Sequence, residues 1–269
     1  MLHLHDLHPA GTLPMSDRRN HSLEADTPRT LVADCTVVIP TYNERENIGA
    51  LIPLILANPR FRVLVVDDNS PDGTGDIVRT LAEAEPRIGL LSRSGKLGLG
   101  TAYLAGFKRA LSEGAEYIYE MDADFSHDPQ YLPTLLKAAE DRFDLVLGSR
   151  YIAGGGTTDW GLIRQLISRG GNLYARAILG LPVNDATGGF RCYRRAVLER
   201  LDLDDIHSNG YSFQIEMAYR TLQAGFRVGE VPIIFPDRRV GKSKMSKAIV
   251  LEALLTVWRL RFQRPRSRS

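Results

Sequence analysis

Between residues 35 and 150 the chain alternates short runs of β-branched and aliphatic residues with stretches of helical length. The runs are CTVVIP, FRVLVVDD, IGLLS, YIYEMDAD and DLVLGSR, and the helical patterns fall at 48–57, 75–85, 101–113 and 129–141. Strands that are apolar on both faces need cover on both faces, and a helix-length crossover returns the chain so that the next strand runs parallel to the last. The pattern therefore predicts an α/β fold, a mostly parallel sheet flanked by helices. A chain of 269 residues, 43% of them hydrophobic, is long enough to bury such a core.

After Arg150 the rhythm changes. A glycine-rich loop, AGGGTT, precedes a helix expected at 162–179, and NDATGGFRCYRR reads as a turn entering a strand. A further helix is expected at 213–224, and FRVGEVPIIF reads as one sheet element. The segment 246–262 has helical spacing, with Ile249, Leu251, Leu254, Leu255, Trp258 and Phe262 as apolar members and arginines at its end. Three parts result: a disordered lead over 1–34, a globular domain over 35–246, and an amphipathic helix with a basic tail over 247–269. The lead carries histidines, prolines and mixed charge without an apolar signal-peptide core, so its HLHDLH stretch reads as a solvated tail, and Met15 is a candidate start.

A formal net charge of +2 gives no global field of the kind that marks a nucleic-acid binder, so no nucleic acid partner is expected. Cys35 and Cys192 stand far apart without CxxC spacing, which fits two core residues in a reducing compartment. No apolar run approaches the ~20 residues that span a bilayer, so the chain reads as soluble or peripheral.

In open parallel sheets ligands gather outside the carboxyl ends of the strands. The first run ends in Pro40-Thr41-Tyr42-Asn43-Glu44, the second in Asp67-Asp68-Asn69-Ser70-Pro71-Asp72-Gly73, and the fourth in Asp122-Ala123-Asp124. Any one of these could be a set of helix caps. Three at strand ends are harder to explain that way. Carboxylates two residues apart can face one crevice, and Mg²⁺ or Mn²⁺ takes one or two carboxylates completed by water and ligand phosphates. Such a metal would neutralise a departing nucleotide, and Asp67 could accept from a nucleobase N–H. Rival nucleotide motifs fail: GKLGLGTA lacks the third glycine and the acidic partner of a dinucleotide site, and VGKSK has Pro236 where a P-loop needs its first glycine.

Taken together, PTYNE, VVDDNSPDGT, GKLGLGTAYLAGF, MDADFSHDP, GSRY, TGGFRCYRR and GYSFQIEM occur in the order found in dolichol-phosphate mannose synthases, family 2 glycosyltransferases with a GT-A fold. The chain most resembles the polyprenol-phosphate members that lack transmembrane helices. The resemblance implies transfer of mannose from GDP-mannose to a polyprenyl, dolichyl-type monophosphate, with inversion and with Mg²⁺ or Mn²⁺ as cofactor. It implies that Pro40, Tyr42 and Glu44 hold the guanine and ribose, with Val65 and Asp67 completing the nucleotide pocket. Asp122, Ala123 and Asp124 would line the diphosphate and mannose, Asp124 being the principal metal ligand. Ser126 stands where some relatives carry a metal-binding Gln. Arg150 and Arg164 would grip the lipid phosphate, while Arg238 and Lys244 would close over the donor. The chemistry agrees, since a phosphate monoester is already anionic and needs positioning rather than a general base. Arginine's planar fork suits that task.

The same residues have plainer readings. Arg150 and Arg164 could be ordinary salt-bridging surface arginines, and Gly154, Gly155 and Gly156 a flexible turn rather than a lid beside the acceptor. Glu216 is expected to be structural or part of a metal's surroundings rather than a base. A rival within the fold is a polyprenyl-phosphate glucose synthase using UDP-glucose. A rival outside it is a non-catalytic partner of a membrane enzyme such as an acyltransferase, and a membrane anchor for this chain stays open. The helix at 246–262 either packs on the core or lies on the bilayer, with Trp258 and Phe262 at the interface and arginines near headgroups. Either way the expectation is peripheral association with the cytoplasmic face of the cell membrane.

Overall fold

The computed structural model describes residues 33–236 and 247–262, the second stretch with side chains from 254 onward. The lead up to residue 32, with HLHDLH and Met15, lies outside the described residues, as do Arg238 and Lys244.

The strands β1 (Cys35–Thr41) and β2 (Phe61–Asp67) are apolar runs buried along nearly their whole length, and each feeds a helix, α1 (Arg45–Leu56) and α2 (Thr74–Ala84). The alternation continues through β3 (Ile88–Ser92), α3 (Leu99–Ser112), β4 (Tyr117–Glu120), α4 (Leu132–Asp141) and β5 (Leu145–Ser149). α1 begins at Arg45, earlier than its apolar spacing suggests. Thr74 Oγ1 accepts the Glu44 N–H at 3.0 Å and Asp72 Oδ2 the Arg45 N–H at 3.1 Å, satisfying amides that a helix start leaves open.

The second half adds β6 (Gly156–Thr157), α5 (Leu162–Leu179), β7 (Arg191–Arg194), α6 (Arg195–Arg200), α7 (Gly210–Gln223), β8 (Val228–Pro232), β9 (Ile234–Phe235) and α8 (Lys247–Phe262). Seven strands form one sheet in the order β3-β2-β1-β4-β7-β5-β8. β7 runs antiparallel to both its neighbours, and the other pairs are parallel. FRVGEVPIIF is therefore two elements rather than the single one expected. Pro232, which has no amide to donate, closes β8, and after Ile233 the chain pairs as β9 with β6.

Alternate β1 side chains enter opposite cores, Val38 on one face and Val37 with Ile39 on the other, as the strand period requires. The first core is roofed by α3, α5, α7 and α8, and the second by α1, α2 and α4. Cys35 and Cys192 are buried free thiols, and burial pushes Cys192 up to about 12.

Two open readings can be compared with this fold. The glycine-rich loop is a built turn: a Cβ on Gly155 would stand 2.4 Å from the Ser149 carbonyl oxygen, and Gly156 N–H donates to Ile233 O at 3.0 Å. α8 serves both readings of its apolar residues. Thr256, Val257 and Leu260 are buried against the body, while Leu255, Trp258 and Phe262 are exposed, the last two rings stacked at 5.8 Å. Among the described residues no helix is long and apolar enough to cross a membrane.

Candidate active site

The sheet order sets the ends of β2, β1 and β4 side by side, and it reverses between β1 and β4, where an α/β sheet opens its crevice. All three ends turn through left-handed residues, Asn43 (φ 62°), Asn69 (φ 57°) and Phe125 (φ 61°). Asn adopts this region with little strain, whereas Phe125 must be held there by its surroundings.

On the β1–β2 side, Asp67 is almost fully buried and accepts three hydrogen bonds. Thr41 Oγ1 at 2.8 Å and Ser70 Oγ at 2.6 Å reach its Oδ1, and Ser70 N–H at 3.0 Å reaches its Oδ2. The next residue, Asp68, forms a bidentate pair with Arg93 at 2.6 and 2.9 Å and is structural. Tyr42 carries the Lys96 ammonium 4.4 Å from its ring centre. Glu44 accepts from Asn47 Nδ2 at 2.8 Å. Pro40 lies half-buried in β1, whereas the Val65 side chain is wholly within the core, so only its backbone is left for a ligand.

At the end of β4, Tyr103 donates its hydroxyl to Asp122 Oδ1 at 3.1 Å, and His127 Nδ1 accepts the Asp122 backbone N–H at 2.9 Å. Burial beside Asp122 and Glu120 pushes the Tyr103 phenol well above its usual range, so it stays a donor at neutral pH. Ser126 gives both its N–H, at 3.1 Å, and its hydroxyl to Asp124 Oδ1. Ala123 is buried between the two acids. Behind them Glu120 is completely buried and accepts from Tyr193 and Gln214 at 2.7 and 2.6 Å, and burial raises its carboxyl to about 7.

Arg150 follows β5 and is not a surface residue. Its Nε and Nη2 each reach the fully buried Asp185 at 2.6 Å, and Nη2 also donates to Thr187 Oγ1 at 3.1 Å. Asp185 is fixed in turn by Glu230, which accepts its N–H at 2.9 Å. Burial opposes the charge on Arg150, but Asp185 outweighs it and raises the guanidinium further above its ordinary value. Arg164, two residues into α5, lies with its guanidinium 3.8 Å from the Trp160 ring centre. A pocket of about 90 Å³ brings the two arginines together with Trp160, Ser168, Tyr211 and the α8 residues Leu254 and Val257. Ring contacts join this pocket to the acidic turn: His127 to Phe235 at 5.4 Å, and Phe235 to Trp160 at 5.6 Å.

Thus the expected residues fall in two groups on one sheet edge, linked through aromatic rings. Sequence reasoning missed Tyr103, His127, Trp160 and Asp185. Tyr103, His127 and Asp185 had a signal, as polar residues inside quoted strings, GKLGLGTAYLAGF, MDADFSHDP and NDATGGFRCYRR. Glu216 is a cross-tie: it accepts from Ser208 Oγ and pairs with Arg220 at 2.6 Å.

Over residues 36–202 the chain matches the family described as glycosyl transferase family 2. It is 46% identical to the polyprenol monophosphomannose synthase of Mycolicibacterium smegmatis over 90% of its own length and 91% of that protein's. It is 49% identical to the undecaprenyl-phosphate mannosyltransferase of Micrococcus luteus over 82% of its length and 91% of that protein's. Among solved structures, glucosyl-3-phosphoglycerate synthase from Mycobacterium tuberculosis, in complex with Mn²⁺, UDP and phosphoglyceric acid, superposes with a TM-score of 0.65. That match covers 87% of this chain and 80% of the other at 19% identity, and it bears on the fold alone.

Proposed function

This chain belongs to glycosyl transferase family 2, and from that premise we propose that it transfers mannose from GDP-mannose to a polyprenyl monophosphate at a membrane surface. The names of the two relatives support the sugar and the lipid acceptor. The observation that carries the reading is the pairing, on one sheet edge, of an acidic crevice with an arginine pocket that opens among exposed apolar residues. Ile167, which lines that pocket, is 45% exposed, and Leu162, Ile163 and Leu166 beside it on α5 are each more than 70% exposed. Apolar surface of that kind marks a membrane or protein contact.

Tyr42, Glu44 and Pro40 would hold the base and ribose, with Asp67 already oriented by Thr41 and Ser70. Asp122 and Asp124 offer an oxygen donor set, each carboxylate oriented by a hydroxyl, Tyr103 on Asp122 and Ser126 on Asp124, which fits a hard divalent ion. Mg²⁺ or Mn²⁺ held there with the donor's phosphates supplies Lewis-acid neutralisation of the leaving diphosphate. Arg150 and Arg164 align the acceptor phosphate, which is anionic without help, so no base is required, and Glu216 is committed to Arg220. A phosphate oxygen displaces GDP in line and with inversion, and Arg238 and Lys244 are assigned to the departing diphosphate. The enzyme works peripherally at the cytoplasmic leaflet, with α5 and the Trp258–Phe262 pair toward the lipid.

The test is transfer of radiolabelled sugar from GDP-mannose or UDP-glucose to polyprenyl phosphate, with Mg²⁺, Mn²⁺ or EDTA. Lipid labelled from GDP-mannose only, and lost in EDTA, is expected. Labelling from UDP-glucose alone would overturn the donor, and labelling in EDTA would overturn the metal.

A further inference from the structure

Resting on that reading of the acceptor pocket, we propose that the indole N–H of Trp160 is a ligand of the acceptor's phosphate, a third donor beside Arg150 and Arg164. Arg150 has little left to give. Asp185 occupies its Nε and one Nη, the edge with which arginine normally takes two phosphate oxygens, so Arg150 meets a ligand through Nη1. A tetrahedral phosphate monoester, with three oxygens that only accept, is then short of donors in this pocket.

Of the hydroxyls nearby, Thr187 Oγ1 accepts from Arg150 at 3.1 Å and from Asn172 at 3.0 Å and gives its proton to Asp185 at 3.4 Å, whereas Ser168 Oγ accepts from Tyr151 at 2.7 Å and keeps its own O–H to donate. The Trp160 N–H is different: it is buried and has no hydrogen-bond partner among the described residues. Buried indole N–H groups nearly always have an acceptor, so one without it in a ligand pocket calls for a ligand that accepts.

The ring cannot readily turn to find another partner. The Arg164 guanidinium lies over it at 3.8 Å, Phe235 meets it edge-on at 5.6 Å, and the Trp160 carbonyl accepts from Gln165 Nε2 at 3.1 Å. With Arg150 5.4 Å from the same ring, the N–H sits in a cationic surrounding that selects an anion over a neutral alcohol. Trp160 therefore recognises the phosphate end of the acceptor, and its ring also seats Arg164.

The chain has two tryptophans, so Trp258→Phe leaves Trp160 as the only indole reporter. In that variant, citronellyl phosphate should shift the tryptophan emission saturably, while citronellol, the same tail without phosphate, should not. Citronellyl phosphate producing no shift, or citronellol producing the same one, would overturn the proposal. In parallel, Trp160→Phe keeps a ring for Arg164 and removes the N–H together with the fused five-membered ring. It should raise KM for the lipid phosphate about tenfold, the loss of one hydrogen bond to a charged group, with KM for GDP-mannose and the melting temperature unchanged. An unchanged lipid KM in an active Trp160→Phe variant rejects the N–H ligand but keeps the mannosyltransferase. A wild type that transfers no mannose rejects the mannosyltransferase instead, and the emission arm still decides on the N–H. If Trp160→Phe does not fold, that arm decides as well.

Discussion

At the ends of β2 and β4, Asp67, Asp72 and Asp124 accept hydrogen bonds from hydroxyls and amides of their own or adjoining turns, while Asp68 pairs with Arg93. Asp67 has Thr41 and Ser70, Asp72 has Thr74, and Asp124 has Ser126. At the end of β5, Arg150 is held by a carboxylate 35 residues further along, and Asp185 is itself pinned by Glu230 from β8. The first arrangement orients carboxylates at the crevice through short, local hydrogen bonds. The second neutralises a buried cation before any ligand arrives. An acid at the crevice should therefore be open to change with little loss of stability, whereas Asp185, behind Arg150, also holds the fold together.

The sharpest test of that contrast is Asp185→Asn, which strands a buried guanidinium. It should cost about 3–5 kcal/mol in urea unfolding. The double variant Arg150→Met/Asp185→Leu should regain most of that stability yet transfer no mannose, and a single variant as stable as wild type would break the comparison. Asp124→Ala is the counterpart. Transfer should fall about 100- to 1,000-fold, as when a group aimed at developing charge is removed, while the melting temperature hardly moves. Tyr103→Phe removes the hydroxyl that orients Asp122, and kcat should drop about tenfold with the lipid KM unchanged.

The smallest effect lies at the opposite, amino end of the sheet. Burial works against the Asp34 carboxylate, but Arg60, at 2.6 Å, holds its carboxyl below the usual value. A folded-state value below the unfolded one means that the contribution is present above an unfolded pKa near 3.8 and is lost as pH falls through the folded value. Asp34→Asn should therefore cost about 1 kcal/mol or less at pH 7, and the gap to wild type should close in acid.

The acidic half of the candidate site was legible in the sequence because its parts are local. Strand, acidic turn and helix start follow one another within each motif, and the apolar runs before Asp67 and Asp122 announce that those acids stand at strand ends. The helix at 162–179 was equally plain, from an unbroken pattern closed by Gly180 in the left-handed conformation. What escaped was assembled across the chain. Nothing near Trp160 foretells that Phe235 packs on it, and no spacing links Arg150 to Asp185. The exposed face of α5 also went unweighed, although Leu162, Ile163, Leu166 and Ile167 recur at helical intervals. A stripe of that period ordinarily faces a core, and only the fold shows this one turned outward.

One feature of the sheet fixes a length. Because β7 enters antiparallel between β4 and β5, the strand carrying the donor acids and the strand carrying Arg150 do not touch. Each interstrand step is about 4.8 Å, so the two ends stand about 10 Å apart, separated by β7, whose Arg191 pairs with Glu120 and spends its buried guanidinium on the carbonyls of Ala186, Gly188 and Gln214. That interval is a ruler built of backbone. Changing a side chain retunes what binds at each end, but only a new strand order would change the distance between them.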